Sequence, residues 1–396
     1  MTLMTVAGVK ARILNGVEAL GGETVSLYEA GNRVLAEDLK ARLTQPPFDA
    51  SAMDGYAVRT GDVASVPVSL KVIGSSAAGH GFAGKVGPME AVRIFTGAPL
   101  PEDAGTIVIQ ENTQAAPAGE IAILEGAPEG KHIRPRGYDF KEGEALLPAG
   151  TRLGSRHLML AAAMNHASVA VRRKPVIAVL ANGDELVPPG SAPNASQIVS
   201  SIPAGMKAAI EAWGGEALLL ELARDTKESI AARAAAGERA DVLLTIGGAS
   251  VGEHDLVRSA LEERGARFEV LKAAMRPGKP VMFGFMGEQR VLSLPGNPAS
   301  AIICARVFLK PLISALLGLD TAEPLRQLPL AHAIGANGER EHYMRAVICG
   351  SAIAPIADQD SSLMKAFATS DCLLVRPVQA PPLPAGALVP TLSLDF

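Results

Sequence analysis

Residues 245–256 read Thr-Ile-Gly-Gly-Ala-Ser-Val-Gly-Glu-His-Asp-Leu, directly after the apolar run 240–244. Gly247, Gly248, Gly252 and Ser250 crowd together, and Glu253, His254 and Asp255 follow at once. A plain turn needs one or two glycines. Several glycines with a hydroxyl let backbone N–H groups converge on an anion. A carboxylate beside that anion makes sense when a divalent cation bridges the two. The competing reading is an ordinary strand-to-helix turn with Asp255 as helix N-cap, and the loop alone weighs evenly between them.

Other residues tip the balance. Glu185 and Asp225 also follow apolar runs, so three carboxylates gather with Asp255 where strands end. They repel one another unless a cation neutralises them, and Mg²⁺ suits a few carboxylates with water and phosphate as its remaining ligands. Arg276 and Lys279, braced by Pro277 and Gly278, supply the opposite charge. On a stiff loop they suit an oxyanion or phosphate, with charge-assisted bonds of roughly 1.5–3 kcal/mol each. Leu294-Pro295-Gly296-Asn297-Pro298 makes a rigid helix entry, with Pro298 near the first helical position.

The elements that must hold these groups are legible between 172 and 322. PVIAVLA, EALLLEL, DVLLTI, FEVLKA, VMFGF and VLSL read as strands, alternating with helical stretches such as 226–239 and a final helix from Pro298. That rhythm predicts a central, doubly wound, mostly parallel α/β domain. Ligands bind such sheets beyond the carboxyl ends of the strands, where five loops here bring acids, cations, glycines and prolines. Residues 45–140 are rich in Gly and Pro between short β-type runs and predict an inserted β-rich domain. Residues 1–44 with 141–171 read as an elongated helical linker domain. Residues 323–396 read as a small C-terminal β-barrel. The fold class is therefore α/β plus β, in several domains.

The 396 residues carry 48% hydrophobic and 20% charged side chains, the composition of a globular chain with ample cores. A net charge of -4 argues against a nucleic-acid binder, so any anion must be held by a few local cations. Cys304, Cys349 and Cys372 are far apart and are expected as reduced thiols. The N-terminal apolar residues, Val6, Val9 and Ile13 among them, fall at helical spacing without a signal-type block. The apolar segment 299–317 is interrupted by Arg306, Lys310 and Pro311, against a membrane span. A cytoplasmic protein without membrane contact is expected.

SAMDGYAV, TGAPLP, RPRGYD, GDEL, GGASVGEHD, MRPGKP and LPGNPAS occur in that order. From about residue 10 to the C-terminus this closely resembles the MoeA family, relatives of the gephyrin E domain. The resemblance implies a four-domain fold whose α/β domain is like the molybdopterin adenylyltransferases, working as an elongated homodimer. It implies a Mg²⁺-dependent molybdopterin molybdenumtransferase, inserting molybdate into adenylylated molybdopterin with release of AMP. It leaves room for a molybdopterin adenylyltransferase and molybdoenzyme maturation partners. By motif, Asp54, Thr96 and Asp139 would come from the β-rich domain across the dimer, with Asp54 and Asp139 among the catalytic acids. Glu185, Asp225 and Asp255 would surround metal and substrate, beside the Gly247, Gly248, Ser250 and Gly252 loop. Arg276 and Lys279 would hold molybdate or phosphate, Pro295 and Pro298 would shape the pocket, and Arg345 matches a further family position. The chain departs from the pattern where STGDEL becomes Leu180-Ala181-Asn182-Gly183-Asp184-Glu185-like, and IYDSN becomes Ile198-Val199-Ser200-Ser201-Ile202. It also has Lys365-Ala366 where relatives carry two serines. The retained acids favour an enzyme. Ile202 and Ala366 favour the alternative, a divergent or non-catalytic paralogue that binds molybdopterin or a related nucleotide cofactor.

Overall fold

The computed structural model describes residues 3–247, 256–323 and 325–394. By contacts the chain divides into two compact units: 1–23, 32–36 and 171–396 in one, 24–31 and 37–170 in the other.

In the first unit a six-stranded sheet runs in the order Glu216–Leu219, Val176–Ala181, Val242–Ile246, Gln289–Leu294, Met282–Met286, Ala266–Val270. The first four are parallel, and Met282–Met286 pairs antiparallel with both its neighbours. Alternate residues of a strand face opposite ways, and both faces are buried. Ile177 and Val179 join the core formed with Met206, Ile210 and Trp213 of helix Ile202–Trp213 and with the last long helix. Ala178 and Leu180 join the core formed with Ile230, Ala234, Val257 and Leu261, under helices Lys227–Ala235 and Leu256–Glu263. The sheet is thus doubly wound, as the strand–helix rhythm predicts. Helix Val6–Leu14 belongs to this unit, with Val6, Val9 and Ile13 in the same core as Ile313 and Leu316.

The last long helix, Pro298–Leu316, is apolar enough to cross a membrane, yet 83% of its most apolar window is buried inside the protein. It opens on Pro298 and is interrupted by a π turn at Ala305–Leu309, where the Lys310 N–H reaches the carbonyl of Ala305. Pro311 explains the turn, since it has no N–H and its ring crowds the carbonyl four residues earlier. Arg306, in that turn, is 1% exposed; its Nε donates to the Ser393 carbonyl at 2.9 Å and Nη1 to the Glu323 carboxylate. Lys310 Nζ donates to the other Glu323 oxygen at 2.7 Å. Burial alone would raise the Glu323 pKa, but the bonds from Arg306 and Lys310 outweigh it and leave it below the ordinary value. Its stabilisation is therefore present above the unfolded carboxylate pKa, about 4.3, and lost as pH falls through the lower folded value. Glu323→Gln is expected to destabilise the protein by about 3 kcal/mol at neutral pH, because it removes the carboxylate that meets a buried guanidinium and the Lys310 ammonium together. Urea unfolding of both proteins at pH 7 and pH 3 checks this, the difference shrinking in acid.

A second sheet in this unit joins Met275–Arg276, Glu341–Cys349, Cys372–Arg376, Leu388–Ser393 and Arg326–Pro329, with Ala352–Pro355 beside Glu341–Cys349. Leu330, just past the last-named edge, bridges Ile353. The other unit holds a six-stranded sheet ordered Thr106–Ile109, Gly55–Val58, Glu90–Ile94, Val68–Ser76, Glu120–Ile123, Thr113–Ala115. The segments read as a helical linker contain helix Ser155–Ala163, but also strands: Leu39–Lys40 pairs with Ala145–Leu147, and Gly22–Ser26 with Ser168–Arg172. Cys304, Cys349 and Cys372 are all free thiols.

Candidate active site

At the carboxyl edge of the α/β sheet the strand ends are tied by their own backbone. Asn182 N–H donates to the Ile246 carbonyl, Gly183 N–H to Ala223, and Gly247 N–H to Leu294, each at 3.2 Å. One step below the rim, Thr245 and Ser293 sit in register, and their buried hydroxyls hydrogen-bond at 2.7 Å. Above this floor lies a cavity of about 670 Å³, lined among others by Asn182, Glu185, Asp225, Gly247, Pro295 and Pro298. Five of those six were singled out from the sequence for chemistry, and Asn182 as a departure from pattern.

Asn182 is 5% exposed, and its Nδ2 donates to Asp225 Oδ1 at 2.9 Å. The exposed Asp225 is thereby aimed along the rim, and its Oδ2 also accepts from the Asp184 N–H at 3.4 Å. Asn182 Oδ1 is buried and has no partner among the described residues. Gly247 has φ +100°, and a Cβ there would lie 2.8 Å from the Asn182 carbonyl oxygen. Glycine is required at that position for backbone conformation and for space. Gly248, Ser250, Gly252 and Asp255 lie outside the described residues. Among the described residues no group of three His, Cys, Asp or Glu comes together as a metal cage.

Arg276 and Lys279 part company. Lys279 is exposed, and its carbonyl accepts from the N–H groups of Ala273 and Val281 at 3.0 and 3.1 Å. It precedes Pro280, which lines the rim cavity. Arg276 instead joins the C-terminal sheet as the register partner of His342 and lines a separate pocket. Arg345 is 1% exposed, with its guanidinium donating to the carbonyls of Leu363, Asp358 and Asp360 at 3.1, 3.3 and 2.8 Å. It clamps the loop that carries Ser361, whose hydroxyl accepts from Asn297 Nδ2 at 3.0 Å, and Ser362, which lines the cavity. Those two serines carried no signal in the sequence, since their relation to the rim is made only by packing. Lys365 and Ala366 lie on the short helix Met364–Ala368, outside the cavity lining, whereas Ser200 and Ile202 line it.

In the other unit the polar islands converge. Asp54 Oδ1 accepts from the Thr96 N–H at 2.7 Å and from its hydroxyl at 2.9 Å. These bonds, the backbone one first, hold the Asp54 carboxyl below its ordinary pKa. Ser51 exchanges backbone bonds with Ala98 and Gly97, and Ile133 and Arg134 pair with Ser51 and Ala50. The Arg136 N–H donates to Asp49 Oδ1 at 2.7 Å. Asp139, exposed, follows on that strand's loop, its N–H donating to the Gln45 carbonyl at 3.0 Å.

Comparison with known proteins reads the same chain in three pieces. Residues 4–165 match the MoeA N-terminal region (domain I and II), 178–315 a probable molybdopterin binding domain, and 327–394 the MoeA C-terminal region (domain IV). The chain belongs to the MoeA family. The rim residues Asn182, Glu185, Asp225, Gly247, Pro295 and Pro298 thus fall within one MoeA region, Asp54, Thr96 and Asp139 within another, and Arg345 within the third. MoeA relatives span nearly the whole chain. The molybdopterin molybdenumtransferase of Haemophilus influenzae is 34% identical, covering 93% of this chain and 92% of its own. That of Bacillus subtilis is 32% identical, covering 90% and 86%. A crystal structure of the molybdopterin biosynthesis moea protein from Pyrococcus horikosii superposes with a TM-score of 0.85 at 32% identity, covering 99% of both chains.

Proposed function

We propose that this protein is a molybdopterin molybdenumtransferase of molybdenum cofactor biosynthesis, inserting molybdate into adenylylated molybdopterin with release of AMP. The observation that carries the reading is the rim cavity. Glu185 and an asparagine-oriented Asp225 face it, in the region that matches a probable molybdopterin binding domain. The exposed carboxylates fit Mg²⁺, which binds through one or two carboxylates and keeps water and substrate oxygens as its other ligands. Bound there, the ion would polarise phosphate and oxyanion oxygens. Asn182 holds Asp225 in place, the prolines at 295 and 298 stiffen the opposite wall, and Lys279 beside Pro280 supplies a cation for the anionic end of the substrate. Asp54, with Thr96, and Asp139 would complete the site from a second subunit of a homodimer. The C-terminal sheet is read as a small barrel closed through the Leu330–Ile353 bridge, and 1–44 with 141–171 as a linker domain beside the inserted 45–140 segment. The protein is assigned to the cytoplasm.

The deciding experiment incubates the protein with adenylylated molybdopterin, molybdate and Mg²⁺, and reads AMP release and reconstitution of an apo-molybdoenzyme. Binding without AMP release would favour the non-catalytic paralogue. Full activity in a strictly monomeric sample would remove the shared site.

The departures from family pattern now have a place. Ile202 lines the cavity and also packs against the main core as the first residue of helix Ile202–Trp213. It offers the ligand no hydrogen bond, and a ligand polar group left unpartnered costs roughly 1–3 kcal/mol, or about tenfold to a hundredfold in affinity. Ser200→Asp and Ile202→Asn together, with Asn182 kept to hold Asp225, are expected to tighten binding of adenylylated molybdopterin by roughly tenfold, with stability lowered by about 1–2 kcal/mol through lost core contact. Calorimetric titration and thermal melts check both; unchanged affinity would mean these loops do not touch the ligand.

A further inference from the structure

Arg93 touches the segments that hold Asp54. It stands on strand Glu90–Ile94, directly opposite Tyr56 of strand Gly55–Val58. Opposed residues on neighbouring strands put their side chains on one face. The guanidinium carbon of Arg93 lies 5.0 Å from the centre of the Tyr56 ring and 5.1 Å from that of Phe95, two residues along its own chain. The cation is thus held against two ring faces. Its Nη2 donates to Gln110 Oε1 at 2.7 Å, and Nη1 donates to the Gly55 carbonyl at 3.4 Å.

Each of these partners leads back to Asp54. Gly55 and Tyr56 follow it in the chain. The Gln110 N–H donates to the Asp54 carbonyl at 3.1 Å. Phe95 precedes Thr96, whose N–H and hydroxyl hold Asp54 Oδ1. Among the described residues Thr96 alone donates to the carboxylate, and it uses that one oxygen. We propose that Arg93 is a positioning residue for Asp54, tying together the two strand ends that carry Asp54 and Thr96 so that Oδ2 faces one way. This rests on the shared-site reading, in which Asp54 completes the site from a second subunit. A planar guanidinium suits the task better than an ammonium, because it stacks on rings while its fork bonds two separate groups. The Thr96 bonds, and after them the Arg93 charge, lower the Asp54 pKa; Arg93 is the one charged group among the described residues that acts on it.

The test compares Arg93→Met and Arg93→Lys with wild type in the whole chain. Methionine fills the space between the rings without charge or donors, and lysine keeps the charge without the fork. AMP release from adenylylated molybdopterin with molybdate and Mg²⁺ gives kcat and KM. NMR of threonine-labelled protein follows the Thr96 amide, which reports its bond to Asp54 and titrates with that carboxylate whether or not turnover occurs. Arg93→Met is expected to lower kcat by roughly tenfold to a hundredfold with KM within about twofold of wild type. Its Thr96 amide should shift, and the pH midpoint of that signal should rise, because both the fixed geometry and the nearby cation favour the charged carboxylate. Arg93→Lys should fall between the two in both readouts. Melting temperatures close to wild type would separate positioning from a general loss of fold. An unmoved Thr96 midpoint in Arg93→Met, or unchanged kcat, would overturn the proposal, as would a raised KM at constant kcat, the mark of direct ligand contact. A wild-type protein that releases no AMP would instead sink the transferase reading, and the Thr96 signal would still decide whether Arg93 positions Asp54.

Discussion

Asp225→Asn is expected to leave the protein folded and to lower turnover by about a hundredfold or more at ordinary Mg²⁺ concentration. Asp225 is exposed at the rim, so removing its charge disturbs no core. The substitution is isosteric, and the amide oxygen can still accept from Asn182 Nδ2 where Oδ1 now does, at 2.9 Å. What is lost is the negative charge facing the cavity, together with the second carboxylate oxygen that accepts from the Asp184 N–H. The expected signature is a fall in kcat, a steeper requirement for Mg²⁺ and a melting temperature close to wild type. Single-turnover AMP release over a range of Mg²⁺ concentrations reads the first two. Unchanged turnover would show that Asp225 only braces the loop at 182–184.

Gly278→Ala is expected to be the most damaging single methyl in the site. Gly278 has φ +103°, and a Cβ there would stand 2.2 Å from Cys304 Sγ and 3.2 Å from Met275 Sδ. Cys304 is fully buried in the last long helix, so it has nowhere to retreat. Backbone strain of about 1–2 kcal/mol and overpacking of about 1–3 kcal/mol add to a loss of roughly 2–5 kcal/mol. The variant should also bind anions more weakly, because the loop holds Lys279 on one side and Arg276 on the other. Adding Cys304→Ala should return the packing part and not the backbone part. Chemical denaturation of the single and double variants separates the two; full recovery in the double variant would mean the positive φ costs nothing.

The strands and helices of the α/β segment were readable because each carries its own period. Val176–Ala181 and, but for Thr245, Val242–Ile246 are apolar runs because both faces are covered, and Gly, Asp and Pro mark where they stop. The rim is legible for the same reason: in such a sheet, whatever follows a strand at its carboxyl end shares an edge with its neighbours. That is how Glu185, Asp225, Gly247, Pro295 and Pro298 could be named together. The segments 22–44 and 141–172 are a different case. Their strands are two to five residues long, Leu39–Lys40 and Ala145–Leu147 among the shortest, and are defined by partners about a hundred residues or more away, so no local period announces them.

The same limit applies to side chains. Arg276 and Lys279 are three residues apart, and local stiffness suggests that they point together. Only the pairing of Met275–Arg276 with Glu341–His342 turns Arg276 toward the C-terminal sheet. The family motif names Arg345, while its burial against three loop carbonyls is a property of the assembled sheet. Composition and period thus determined the α/β fold, its carboxyl edge and the residue types gathered there. Tertiary structure alone decided which cation faces which pocket, that Asn182 orients Asp225, and that Arg93 stands between Tyr56 and Phe95. Direction and contact depend on strand register between distant segments, and a register has no local signature in the chain.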